Sequence, residues 1–85
     1  MVLVATEHGI VFPNPFHDEV NLNPAFNITS AELMDVAGRL IGSYQGINKS
    51  IEQQLNNVLK SVNRGVYILH CNGDQQSSIV KLIKN

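Results

Sequence analysis

Residues 65–84, GVYILHCNGDQQSSIVKLIK, read as a single β-hairpin, and the rest of the chain takes its place around it. Val66, Tyr67, Ile68 and Leu69 are apolar on both alternating faces, the pattern of a strand covered on both sides and therefore central in its sheet. Asn72-Gly73 offers the positive-φ positions of a tight turn, and Ile79 to Ile83 carries the chain back. Two registers satisfy this pattern. A two-residue loop sets Val66 opposite Ile79; a four-residue loop through Gln75 sets Tyr67 opposite Val80 and Ile68 opposite Ile79.

Immediately upstream, residues 46–64 support two readings equally. Ile51, Leu55, Val58, Leu59 and Val62 fall at helical spacing, and Ser50 with Gln53 fits a capping box, which together describe an amphipathic helix. Alternatively Ile51 and Leu55 share one face of a strand that Asn56-Asn57 breaks before a short turn. Further upstream, Asp35-Val36-Ala37-Gly38 has Asp at the first and Gly at the fourth position of a type I turn, with Ala31 and Leu33 in the strand before it and Arg39 to Tyr44 in the strand after it. Asp35 and Arg39 flank this turn, so a salt bridge or an Asp-to-backbone bond is expected. Glycines 38, 42 and 46 have no apolar 20-mer around them and are read as turn and strand-crowding residues. Asp18 to Leu22 alternates, with Val20 and Leu22 inward and Glu19 and Asn21 outward. Ile10 to Phe12 forms a short strand that Pro13-Asn14-Pro15 must end. Residues 1–9 are a linker end or an edge strand, and 10–85 one domain. Short strands at about ten-residue spacing with turns between them define an all-β, antiparallel sandwich.

Composition narrows the function classes. At 85 residues there is room for one core. Six Lys and Arg against seven Asp and Glu give a net charge of −1, so the basic field of a nucleic-acid or anionic-membrane binder is missing. Cys71 is the single cysteine, so no internal disulfide can form. No apolar run approaches the ~20 residues of a transmembrane segment, and Met1 to Ala5 is too short for a signal-peptide core.

Nothing in the residues converges on chemistry. His8, His17 and His70 with Asp18 are the conceivable metal ligands, but they fall on different elements and at no ligand spacing, so neither metal nor cofactor is expected. His70 and Cys71 are strand neighbours and point to opposite faces, as do Asp18 and Glu19, which removes a thiol–imidazole pair and a carboxylate pair from consideration. With no phosphate loop or nucleophile elbow, no catalytic residues are assigned and the chain is read as no enzyme.

Taken in order, three blocks of these residues resemble the C-terminal sorting domain (type A, Por secretion family) of type IX secretion cargo proteins of Bacteroidetes. Phe12-Pro13-Asn14-Pro15, followed by Asp18-Glu19-Val20, looks like the family's opening Tyr-Pro-Asn-Pro. Residues 33–41, LMDVAGRLI, look like its middle block of aliphatic strand, Asp, two residues and Gly-Arg. Gly65 to Leu69 and the closing Val80 to Lys84 resemble its last two strands. The chain departs from the pattern at Val62-Asn63-Arg64-Gly65, where the usual proline is absent.

The resemblance implies an immunoglobulin-like sandwich of about seven strands and tips residues 46–62 toward strand, with one short helical turn near 58–63. It implies a non-catalytic secretion and sorting signal attached to an N-terminal cargo domain. The outer-membrane type IX translocon would read it, and a surface sortase would cleave it. The product would be secreted or held at the cell surface. Recognition candidates are Pro13, Asn14, Pro15, Asp35, Gly38, Arg39, Gly65, Tyr67, Lys81 and Lys84. Lys81 and Lys84 are expected to reach solvent and add little to stability, leaving their charges to be read by a partner. The alternative is an immunoglobulin-like binding module, for carbohydrate or protein, appended to a secreted enzyme; Phe16 and Tyr44 are then the candidates for sugar stacking.

Overall fold

The computed structural model describes residues 4–5, 11–13, 15–23 and 27–85. Along the chain run β1 (Val4–Ala5), β2 (Val11–Phe12), β3 (Asn21–Leu22), β4 (Ser30–Asp35), β5 (Leu40–Gln45), α1 (Asn48–Leu59), β6 (Gly65–Asn72) and β7 (Ser77–Lys84). One sheet has the order β1-β7-β6-β4-β5, antiparallel throughout except that β1 lies parallel to β7; β2 and β3 pair as a second, two-stranded sheet. The expected β-rich, sandwich-like class is found, although three of the seven strands are only two residues long. Phe26, Asn14 and residues 6–10 lie outside the described residues.

The hairpin is central, as its apolar pattern requires, but neither expected register occurs. Leu69 pairs with Val80, Tyr67 with Leu82 and Asn72 with Ser77, closed by a bond from Gly73 N to Gln76 O of 2.8 Å. This register is shifted by two residues from the four-residue-loop expectation, so every side chain keeps its face. It wins because the ladder then runs unbroken from Gly65–Lys84 to Asn72–Ser77 and sets the large core residues opposite one another.

The expectation of a strand over 46–62 is overturned. Residues 48–59 are a helix, and the single turn near 58–63 is replaced by the end of that helix. Ile51, Leu55 and Leu59 are buried at helical spacing against the sheet. Ser50 is inside the helix, not at its cap; the N-cap is Ile47, with no side-chain cap bond, and the Ser50 hydroxyl instead accepts from Gln54 Nε2 at 3.1 Å.

A second helix stripe explains why a helix replaces a strand here. Asn48, Glu52 and Asn56 recur every four residues and so share one face. Asn48 Oδ1 accepts from Ile28 N at 3.0 Å and Glu52 Oε2 from Leu22 N at 2.8 Å. Asn56 accepts from Val20 N at 2.8 Å and donates to Val20 O at 2.9 Å. These side chains give the loop and β3 backbone the partners that a neighbouring strand would have supplied.

The core lies between the five-stranded sheet and a layer made of α1, β2, β3 and Phe16. It contains Ala31 and Leu33 from β4, Tyr67, Leu69 and Cys71 from β6, and Val80 and Leu82 from β7. Tyr44 of β5 joins them and lies over Gly42, where an added Cβ would collide with the tyrosine hydroxyl.

Candidate recognition site

The described candidate residues, Asn14 not being among them, come from four separate stretches of the chain, and the sheet brings them toward one end. Asp35 pairs with Tyr67, which pairs with Leu82; Gly65 pairs with Lys84; and Phe16, directly after Pro15, bridges to Lys84 on its other side. The β4–β5 turn, the start of β6 and the end of β7 are therefore neighbours.

At the turn, the Asp35 carboxylate organises the backbone. Its Oδ1 accepts from Ala37 N at 3.0 Å and Arg39 N at 2.9 Å, and its Oδ2 accepts from Arg39 Nε at 3.1 Å. Gly38 N closes the turn on Asp35 O at 3.0 Å. The Arg39 amide, more than any other group, holds the Asp35 carboxyl below its ordinary pKa; partial desolvation opposes this, and the Ala37 amide and the guanidinium add to it. The folded value is depressed, so this contribution is complete above the ordinary carboxylate pKa and is lost as pH falls through the lower folded one. Arg39 presents its side chain outward, 84% exposed.

Gly38 has φ of +85° with open space where a Cβ would stand, so any substitution is opposed by the backbone and not by a neighbour. Gly38→Val should cost about 1–3 kcal/mol and Gly38→Asn clearly less, because Asn tolerates this region. Denaturant midpoints check both; equal, negligible shifts would remove the special backbone role.

The end of β7 is clamped from two further directions. Phe16 is fully buried; its N donates to Ile83 O at 2.9 Å and its O accepts from Asn85 N at 2.8 Å. The Lys84 ammonium donates to Leu59 O at 2.6 Å, Val62 O at 2.8 Å and Lys60 O at 3.4 Å, around the C-terminus of α1. Lys84 thus does not stand in open solvent as expected. It satisfies carbonyls that the end of the helix leaves unpaired and sets a cation at the negative end of the helix dipole. Lys84→Ala should therefore destabilise by about 1–3 kcal/mol, with Lys81→Ala, at an exposed strand position, costing less. Thermal melts of the two single variants check this; equal melting temperatures would make the Lys84 contacts dispensable.

The other candidates divide by role. Pro13 and Pro15 are exposed and lead the chain to Phe16; Asn14 is outside the described residues. Tyr67 is buried, with its hydroxyl donating to Asn63 O at 2.6 Å, so it holds the loop before β6. Phe16 and Tyr44, named as sugar-stacking candidates, are both in the core, which leaves that alternative without its aromatic platform.

No group of three metal-ligating side chains occurs among the described residues, and His8 is not among those. His70 is on the sheet face opposite Cys71, with its Nδ1 3.7 Å from Glu32 Oε1. Burial pushes the Cys71 thiol up to about 11. Native protein should leave Cys71 unmodified by a thiol reagent at neutral pH, and unfolded protein should react fully; rapid labelling of the native state would contradict the burial.

Asn56 and Glu52 were not singled out from the sequence as functional or organising groups, and Phe16 was named only for sugar stacking, not as an anchor of the last strand. The four-residue spacing of Asn48, Glu52 and Asn56 was the available signal, hidden because polar residues on a helix ordinarily face water.

These features define a β-rich domain whose sequence blocks meet at one end of its sheet. Residues 10–85 match the family model described as the secretion system C-terminal sorting domain, and the chain belongs to that family, the sorting signals of type IX secretion. No curated protein and no solved structure matches.

Proposed function

We propose that this domain is a non-catalytic address label: attached to an N-terminal cargo domain, it directs that cargo through the type IX translocon to the cell surface, where a sortase removes it. The observation that carries this reading is the convergence at one end of the sheet of the blocks that mark the family, in a chain whose residues 10–85 match it. A recognition role needs a stable frame and a distinctive surface, not a cleft. The Asp35–Arg39 turn supplies such a surface, with Arg39 and Val36 projecting from a fixed backbone.

The test is export of a reporter fused upstream of residues 1–85 in a type IX secreting host. Reporter should reach the surface or medium with the domain and remain in the periplasm without it. Retention of both fusions in the periplasm would overturn the reading. Retention of the domain on an exported reporter would overturn only the sortase step.

A further inference from the structure

We propose that Asn72 is a covalent modification site held in check by the fold: when the tip of the β6–β7 hairpin opens, Asn72 deamidates through attack by the Gly73 amide, and the isoaspartate formed keeps the tip from closing again. The inference is independent of the sorting reading.

The sequence sets up the reaction. Asn72 is the one asparagine followed by glycine. In such a pair the Gly73 nitrogen attacks the Asn72 side-chain carbonyl carbon. The bond from that carbon to the side-chain nitrogen breaks, ammonia leaves, and a five-membered succinimide closes. Water then opens the ring at either carbonyl. One opening gives aspartate with an ordinary main chain; the other gives isoaspartate, in which the main chain runs through the former side chain and gains one carbon. Glycine hinders the attack least, because no Cβ stands beside its nitrogen. The turn itself does not call for this pair, since neither residue has a positive φ.

The closed hairpin withholds both reacting groups. Gly73 N donates to Gln76 O at 2.8 Å, so its proton is engaged and the nitrogen is a poor nucleophile. Asn72 ends β6, paired with Ser77 on one side and Ser30 on the other. Its backbone oxygen accepts from Thr29 N at 2.8 Å and Thr29 Oγ1 at 3.3 Å. Ring closure has to turn the Asn72–Gly73 peptide out of all these pairings. They lie at the end of the ladder, beside exposed residues 74–76, where opening is cheapest. Such opening frees the terminal Asn72–Ser77 pair and leaves the ladder from Gly65 to Cys71 closed. The event that lets the Gly73 amide exchange with solvent therefore also sets the rate of deamidation. In the isoaspartate product the carbonyl that Thr29 binds becomes a pendant carboxylate, and the added carbon moves Gly73 out of register with Gln76.

The experiment incubates the 85-residue chain in mildly alkaline buffer without urea, with urea below the unfolding midpoint, and fully unfolded. Peptide mass spectrometry and labelling by an isoaspartyl methyltransferase follow residue 72, while amide exchange of Gly73 is measured in the same buffers. Modification should be at least tenfold faster in unfolded than in native protein, and below the midpoint it should rise with urea in parallel with Gly73 exchange. Gly73→Val, read in the unfolded state so that folding does not enter, should slow it at least tenfold. After refolding, the purified isoaspartate form should melt below the parent and Asn72→Asp close to it. Equal rates in native and unfolded protein would overturn the protection, and an unaffected Gly73→Val would overturn the route. An isoaspartate form that melts with the parent would overturn the effect on the tip.

Discussion

Phe16→Ala should cost about 3–5 kcal/mol, a large share of the roughly 5–15 kcal/mol that holds a small domain together. The ring has no exposed surface, and the same residue bridges by backbone to both sides of Lys84. Removing the ring leaves a cavity beneath the last strand and loosens the attachment of residues 83–85, so the loss is one of packing and of strand anchorage together. Phe16→Leu, which keeps most of the volume, should cost less than half as much. Urea denaturation of both variants measures this. A Phe16→Ala midpoint close to the parent's would mean that the site collapses around the deletion and that the backbone bridge suffices.

Asn56→Leu should cost about 2–5 kcal/mol, because it removes both partners of Val20 at once and leaves a buried N–H and a buried C=O unsatisfied. Asn56→Asp distinguishes the two bonds. A carboxylate still accepts from Val20 N but stands against Val20 O, and burial raises its pKa because it disfavours the charged form. A raised acid pKa means that the protonated form, which can donate to Val20 O, is the one the fold prefers. The Asp variant should therefore be more stable in mild acid than at neutral pH, relative to the parent at each pH. Thermal melts across that range check the sign; no pH dependence would show that water reaches this bond.

The sequence made the hairpin at 65–84 legible because apolar runs on both strands agreed, but its turn was misplaced: Asn72 ends β6 paired with Ser77, and neither Asn72 nor Gly73 takes the positive φ expected of them. The turn at Asp35–Gly38 was legible from the positions of its Asp and Gly, and both anticipated contacts, ion pair and side chain to backbone, are present together. The hairpin register was not legible, because a two-residue shift preserves the face of every side chain and the choice is made by ladder length and core pairing. Residues 46–64 show a different limit. Ile51, Leu55 and Leu59 already spelled out a helix, but the family resemblance pulled the reading toward strand. At the recognition end, membership of the candidate residues was readable from their blocks, whereas Lys84's docking on helix carbonyls depended on a helix whose position was misread.

The ladder of helix side chains changes what slow amide exchange would report. The N–H groups of Val20, Leu22 and Ile28 belong to extended chain, yet each is held by a side chain of α1 and not by a strand across from it. Their protection is then set by the free energy for lifting the helix off the sheet, not by fraying of the two-residue β2–β3 ladder. In deuterium oxide these three amides should lose protection as one cooperative unit with the amides of α1, while the β6–β7 amides persist to global unfolding.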